Sequence, residues 1–478
     1  MKTVFRPTGL LLGSLAAAAL LSACALGPDY RRPGIETPER IRGDAAGTQA
    51  SYGDLGWWEI YQDPALSTLL RQGLERNLDL RIAAARVEQA RAAAGVSRLQ
   101  QLPQVDASGS AARRKLSESS VAPGAERLGE QGTAAVALSW ELDLWGRLRR
   151  LNEAARADLL ASEYAQRGVA NSLVADIATA YFSLQSYDRR LDITRRTVAT
   201  REEFLKLTRA QYERGVVSGL DVSSAEAQLA TAQANLPALE RSVAQTENQL
   251  SLLLGGNPAD IPRSISDAAA PPMPETPAGL PSRLLERRPD VLQSEQSLVA
   301  ANARIGAAKA ALFPTLSLTG SYGVLSSNVS DLFSAGAENW SVGVGLLQPL
   351  LNAERNLYQV DLADARKREA LLGYEKTVRN AFREVADSLV AREKSQQVLD
   401  AQQKQVDALR RAVDISKARY KQGYSSYFDV ISADRDLFNA ELSHDAARLD
   451  AQLSLVQLYR SLGGGWQTQG QGGDNTEK

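Results

Sequence analysis

The chain has one cysteine and one histidine among its 478 residues. A lone cysteine excludes an internal disulfide framework and a cysteine-rich metal site. A lone histidine, His444, excludes paired-histidine zinc chemistry, and most hydrolytic metalloenzymes go with it. Neither charge is in excess: 55 Lys and Arg face 56 Asp and Glu, so a basic nucleic-acid surface is not indicated. Long hydrophobic runs are missing too. Beyond the leader described next, the chain never shows 18 consecutive apolar residues, so any crossing of a membrane falls to strands. No Gly-rich phosphate loop with its lysine and no nucleophile constellation occur, which makes an enzyme the least favoured reading. Aromatics are scarce at 6%, yet hydrophobic residues reach 44% because Ala and Leu abound. With many Gln, Arg, Glu and Asp beside them, that is the composition of long helices, and the length allows roughly two to four ordinary domains.

What is there begins with a leader. Lys2 and Arg6 precede an apolar run from Leu10 to Leu21 that ends in Leu21-Ser22-Ala23-Cys24. About twelve apolar residues are too few for the ~20 of a membrane span, so a cleavable signal over 1–23 is expected in place of a short anchor. Leu-Ser-Ala-Cys resembles a bacterial lipobox, which implies a covalent lipid on Cys24 as the first mature residue. Ala25 follows it rather than Asp, and that resemblance favours sorting to the outer membrane.

The rest of the chain is written twice. At an offset of 211, Asp79, Ala90, Gly95, Pro103 and Gly109 recur as Asp290, Ala301, Gly306, Pro314 and Gly320. At an offset of 208, Arg147, Tyr212, Gly215, Ser218, Asp221 and Gly255 recur as Arg355, Tyr420, Gly423, Ser426, Asp429 and Gly463. The offset changes inside a strand, loop, strand pattern, where loop length is cheap to alter. Two repeats, 63–257 and 282–466, are therefore expected, joined by a Pro- and Ala-rich linker at 258–281. A segment at 24–62 precedes them and a flexible tail at 467–478 follows.

Each repeat changes period from helix to strand and back. Val105, Ala107, Gly109 and Ala111 alternate with polar residues, as do Ala134, Val136, Leu138, Trp140 and Leu142. Leu316, Leu318, Tyr322 and Val324, then Trp340, Val342, Val344 and Leu346, do the same in the second repeat. The pattern predicts two hairpins, at about 104–143 and 315–348, with polar loops at 115–131 and 326–338. Runs of about eight to ten two-faced residues suit a half-buried sheet on a soluble domain, or strands that cross a bilayer. The polar loops, and the placing of Trp140, Trp145, Tyr322 and Trp340 as interfacial girdles, favour the second. Four strands cannot close a membrane barrel, whose smallest form has ~8, so several copies must share one.

The segments after the hairpins count by sevens. Val378, Val385, Arg392, Leu399, Val406, Val413 and Tyr420 form one series; Ala170, Ile177, Leu184, Leu191, Val198, Leu205 and Tyr212 form the other. So sustained a heptad implies left-handed coiled-coil packing. The helix at about 353–421 would be ~100 Å long at 1.5 Å per residue. Helical hairpins are expected at about 147–254 and 353–462, reversing at Gly215 and Gly423. Asp221 and Asp429 sit where an acid caps the returning helix. Pro237, inside the first returning helix, is expected to kink it.

At this point the sequence resembles the outer-membrane efflux protein family typified by TolC, and more closely its lipidated members that serve resistance-nodulation-division drug pumps. The resemblance runs from Cys24 to Trp466. It rests on the lipobox with Gly27-Pro28-Asp29-Tyr30, on Trp57-Trp58, on 139–147 (SWELDLWGR), on 215–222 (GVVSGLDV) and on 462–466 (LGGGW). It implies a mainly α chain with membrane β structure. Three copies would form a trimeric 12-strand outer-membrane β-barrel continuous with a 12-helix periplasmic α-barrel, with a mixed equatorial belt around it. The implied activity is passive exit of drugs, dyes or detergents, energised by an inner-membrane transporter and joined to it by a periplasmic adaptor.

The resemblance also implies a gate at the periplasmic tip, with an apolar and an acidic ring matching Phe428 and Asp429. Where many relatives carry a second acid this chain has Ser432, and Ser425 replaces a basic gate partner, so gate salt bridges are not expected. A hydrogen bond from Tyr420 to Asp221 is the remaining candidate. For adaptor contact the candidates are Val216, Val217 and Ser218 with Tyr424, Ser425 and Ser426; simple turn chemistry is the alternative. His444 is read as a packed seam residue. An outer-membrane duct of a type I protein secretion system would use the same architecture, and a coiled-coil lipoprotein without a pore is a further rival.

Overall fold

A computed structural model describes residues 25–42, 51–61, 63–120, 122–124, 126–263, 281–351 and 353–464. The leader, Cys24, most of the linker, the tail and Trp466 lie outside them. Helices α1 (Pro64–Arg76) and α2 (Leu78–Leu99) lead into strands β1 (Gln104–Lys115) and β2 (Leu128–Leu142). The long α3 (Arg147–Glu213) and α4 (Gly219–Leu253) follow. The order then recurs as α5 (Pro281–Arg287), α6 (Pro289–Ala310), β3 (Thr315–Ser326), β4 (Glu338–Leu347), α7 (Ala353–Lys421) and α8 (Tyr427–Ser461). Both ends of α6 lie 211 residues after those of α2, and both ends of α8 lie 208 after those of α4. Among the described residues no helix is long and apolar enough to cross a membrane.

The chain divides into two compact units. The first holds 25–34, 86–162 and 293–375, and its centre is an antiparallel sheet in the order β1-β2-β3-β4. The register sets like against like on each face: Ala107 opposes Val136, Val136 opposes Tyr322, and Tyr322 opposes Trp340. The alternation in the four sequences thus becomes one apolar face. That face is bare, with Val105, Tyr322, Trp340, Val342, Val344 and Leu346 all exposed. β1 and β2 continue closer to their loop than alternation predicts, to Lys115 and from Leu128. The ladder persists there on backbone pairing and on cross-strand charge, Arg113 Nε lying 3.2 Å from Glu130.

Beside the sheet, α3 packs on α6 through alanines, with Ala154, Ala157, Ala300 and Ala303 all buried. Small side chains let the backbones approach, and residues 25–34 are strapped into place nearby. Arg150, 6% exposed, donates to Leu26 O at 3.2 Å and to Asp29 at 2.7 Å. Asn302 donates to Pro28 O at 2.7 Å, and the Tyr30 hydroxyl donates to Glu295 at 3.1 Å. Burial, then the neighbouring Glu295 carboxylate, raises the Tyr30 pKa, so this hydroxyl stays a donor. A Cβ on Gly27, whose φ is +101°, would collide with Gly306 Cα. Glycine is required at that crossing by space as well as by conformation.

The described residues of the second unit, within 35–85, 163–292 and 376–464, are mostly helical. Its core gathers Leu66, Leu70, Ile177, Tyr181, Leu184, Leu250, Leu458 and Tyr459, each at most 1% exposed. Most residues of the two heptad series are buried, among them Ile177, Leu184, Val378, Val385, Val406 and Val413. Helix α4 runs through Pro237 and is 35 residues long, as is its proline-free counterpart α8; the ring takes an exposed position. At the place in α8 that matches Pro237 stands Asp445, 3% exposed. Its carboxylate accepts from Ser186 Oγ and Arg189 Nε of α3.

Candidate functional site: the helical tips

Each helical hairpin reverses through the same device. Gly215 (φ +72°) and Gly423 (φ +75°) take the left-handed conformation that ends a helix. Val216 N–H donates to Gln211 O and Gly215 N–H to Tyr212 O, both at 2.9 Å. Tyr424 N–H to Arg419 O at 2.9 Å and Gly423 N–H to Tyr420 O at 3.0 Å repeat the pair. The returning helix then opens on a reciprocal cap. The Asp221 carboxylate accepts from Ser218 N at 2.9 Å and from Ser218 Oγ at 2.8 Å; Asp429 accepts from Ser426 N and Oγ, each at 3.0 Å. Ser218 and Ser426 are therefore the N-caps, and the two acids stand at the third helical position.

That geometry corrects one expectation. Tyr420 does not reach Asp221; its hydroxyl donates to Gln211 Oε1 at 2.6 Å, and the Asp221 carboxylate is taken by its own cap. Burial raises the Tyr420 pKa, opposed by the Gln211 bond and aided by the charge of Asp221. The acid thus acts on this phenol at a distance.

The reversals present apolar groups to solvent. Val216 is 68%, Leu220 75%, Tyr424 73% and Phe428 71% exposed. Val217 and Ser425 are half-buried, whereas Ser218, Ser426 and Asp429 are exposed. Ser432 is half-buried and faces Arg435 Nη2 at 3.4 Å. Leu220 was missed in the sequence. It lies 208 residues before Phe428, so the repeat offset carried the signal.

Behind the tips the two hairpins share a core. Leu205, Ala225 and Tyr427 are buried, and Phe204, Val222, Leu229, Tyr420 and Ile431 pack on them. The Tyr427 ring lies 5.9 Å from Phe204 and 5.7 Å from Tyr420. Arg201, 5% exposed, joins three helices by donating to Asp434 at 3.0 Å and to Gln228 O at 2.8 Å. Its guanidinium also lies 5.1 Å from the Phe438 ring. No local pattern marks Arg201, one of many arginines on α3.

Further up α8, His444 is half-buried. Burial lowers its pKa, with Arg448 and Arg410 adding to the effect and Asp445 and Asp407 opposing it. A depressed histidine pKa means the unfolded chain binds more protons, so stability is full above the ordinary value of about 6.5 and falls with pH below it. We expect His444→Gln to flatten the loss of melting temperature between pH 7.5 and 5. An unchanged pH profile would contradict this.

The tips hold no catalytic constellation, and among the described residues no group of three His, Cys, Asp or Glu could bind a metal. The sequence profile of outer membrane efflux proteins matches residues 69–256 and again 280–464. The chain is 38% identical over 457 residues to the solvent efflux pump outer membrane protein SrpC of Pseudomonas putida, covering 94% of this chain and 97% of that one. It is 37% identical over 466 residues to the antibiotic efflux pump outer membrane protein ArpC of Pseudomonas putida, covering 96% of each. The open-state outer membrane channel MtrE of Neisseria gonorrhoeae superposes with a TM-score of 0.83 at 32% identity, covering 93% of this chain and 99% of that one.

Proposed function

Since the chain belongs to the outer membrane efflux protein family, we propose that it is the passive outer-membrane exit duct of a tripartite multidrug efflux system. Small toxic compounds are received from an inner-membrane resistance-nodulation-division transporter through a periplasmic adaptor and released outside. The observation that carries this reading is the bare apolar face of the sheet, bounded by two strands with one unpaired edge each. In water such a face and such edges invite aggregation; in lipid the face is solvated, while the edges must pair. Because the sheet has an even number of antiparallel strands, β4 of one copy meets β1 of the next antiparallel, and a ring of copies leaves no edge. Three copies give a barrel of twelve strands, and their helical hairpins form the periplasmic tunnel.

A lipid on Cys24 adds a second attachment to the outer membrane. We assign Val216, Val217, Ser218, Tyr424, Ser425 and Ser426 to adaptor contact, because exposed apolar side chains at a reversal have no core of their own to enter. Phe428, Asp429 and Ser432 line the constriction of the closed duct, with Tyr420 and Asp221 supporting it. Named relatives serve solvent and antibiotic pumps, which favours small molecules over the polypeptides of a type I secretion duct.

Purified protein in planar bilayers is expected to give stepwise, cation-preferring conductance, and Asp429→Ala to reduce that preference. Three like charges at one height attract cations. Protein that inserts without conductance would leave the pore-free coiled-coil lipoprotein standing. Unchanged preference in the variant would remove Asp429 from the constriction.

A further inference from the structure

We infer that Arg355 and Arg366 form two unneutralised cationic rings inside the duct, where α7 leaves the sheet, and that these rings favour organic anions over cations as cargo. The inference rests on the exit-duct reading and goes beyond it by naming the charge class that the wall selects.

The first repeat shows which side of the helices faces the interior. Glu141 belongs to the polar face of the sheet, opposite Ser317, which in turn opposes Gly345. Its neighbours Trp140 and Leu142 take the apolar face, so in a closed barrel Glu141 points to the water-filled inside. Arg147, at the start of α3, grips this carboxylate twice, Nε to Oε1 at 2.9 Å and Nη2 to Oε2 at 2.7 Å. Asp158 stands eleven residues further on, three turns later on the same stripe. It accepts from Arg304 Nη2 of α6. The interior stripe of α3 therefore carries one cation and one anion, each neutralised by a neighbour.

The second repeat keeps the stripe and drops the partners. Arg355 and Arg366 stand 208 residues after Arg147 and Asp158, on α7. The counterpart of Glu141 is Pro349, so Arg355 meets no acid at the strand end. Arg366 replaces an acid outright, and Ala93 stands 211 residues before Arg304. Both arginines are exposed, and neither makes an ion pair or a hydrogen bond among the described residues. Gln359, Leu362 and Ala370 on the same stripe bring no acid either. Matching stripes thus differ in charge: neutral on α3, doubly positive on α7.

Copies arranged about one axis repeat each arginine at one height. Rings of arginine or lysine are what anion pores use, and a positive wall raises the local concentration of anions. A guanidinium also offers two parallel donors to a carboxylate or phosphate. Cationic cargo is slowed at these rings, and cargo with an anionic group is drawn from tunnel to barrel. The acids of the tip act at the other end of the helices, so the wall decides once Asp429 is removed.

Reversal potentials under a salt gradient in planar bilayers test this, with Asp429→Ala as the background and KCl or potassium benzenesulfonate as the salt. At about 0.01 M, where charge is felt over ~30 Å, this channel should prefer the anion of either salt. Arg355→Gln with Arg366→Gln should lower the anion-to-potassium permeability ratio by roughly threefold or more. Arg355→Lys with Arg366→Lys should keep it, and Asp158→Asn, which frees Arg304, should raise it. The differences should vanish at about 1 M, where charge is felt over only ~3 Å. A glutamine pair that keeps the background ratio in dilute salt overturns the arginine rings and leaves the duct standing. Native protein that inserts without conductance overturns the exit-duct reading instead.

Discussion

Alanine at Asp445 is expected to cost about 3–5 kcal/mol, the range for removing one partner of a buried ion pair. The carboxylate is 3% exposed and holds Ser186 Oγ, 0% exposed, and the Arg189 guanidinium, 9% exposed. Arg190 Nε lies 3.6 Å away on the same acid. Without the acid, Arg189 remains in the α3–α8 seam with no counter-charge, and its Nη2 is already without a partner. Desolvation, not lost attraction, sets the magnitude. Two further variants follow from that. Asp445→Asn keeps an acceptor for Ser186 and should fall between alanine and the native chain. Asp445→Leu combined with Arg189→Met should recover much of the loss, since apolar pairs of similar volume often replace buried ion pairs at little cost. The readout is the temperature at which helical circular dichroism is lost. A single Asp445→Ala variant that melts with the native protein would show the pair to be neutral.

This tie has no twin in the other half of the repeat. The positions matching Ser186, Arg189 and Asp445 hold Lys394, Gln397 and Pro237. Lys394 and Gln397 both turn to the exposed Glu393, at 2.7 and 3.0 Å. One hairpin is thus pinned to the other through α3 and α8 by buried charge, while the matching place on α4 carries a proline that can offer no such contact.

The elements themselves were legible because each rests on a period. Alternation marked the four strands, sevens marked the long helices, and Gly215, Ser218 and Asp221 with their counterparts marked the reversals. The contacts that bind the elements were not legible. Arg150 on Asp29, Arg201 on Asp434 and Arg189 on Asp445 span 121, 233 and 256 residues. In a chain with 55 Lys and Arg, no local feature separates these arginines from those on solvated faces. The Tyr420 expectation failed for a related reason. Proximity placed the phenol near an acid, but Asp221 is occupied by the serine three residues before it, and the amide of Gln211 was the free acceptor.

Aspartate at both Val216 and Val217 is expected to abolish drug resistance while leaving the assembly intact. Val216 is 68% exposed and Val217 half-buried, and the reversal is held by main-chain bonds, Val216 N–H to Gln211 O and Gly215 N–H to Tyr212 O, which do not depend on either valine side chain. The folded protein should lose little. An adaptor seated on the tip would lose the burial of two valines, worth about 1.5–3 kcal/mol each. It would also have to desolvate two carboxylates beside the cap acid Asp221, a cost of several kcal/mol more. Since each 1.4 kcal/mol is about tenfold in affinity, the contact should fall by several orders of magnitude. Conductance in bilayers, which needs no adaptor, should be retained, and that separates a broken joint from a broken pore. Val216→Ala with Tyr424→Ala removes exposed apolar surface from both tips without adding charge and should weaken resistance only in part. Resistance retained in the aspartate variant would return these residues to plain turn chemistry and leave the adaptor to bind along the helices instead.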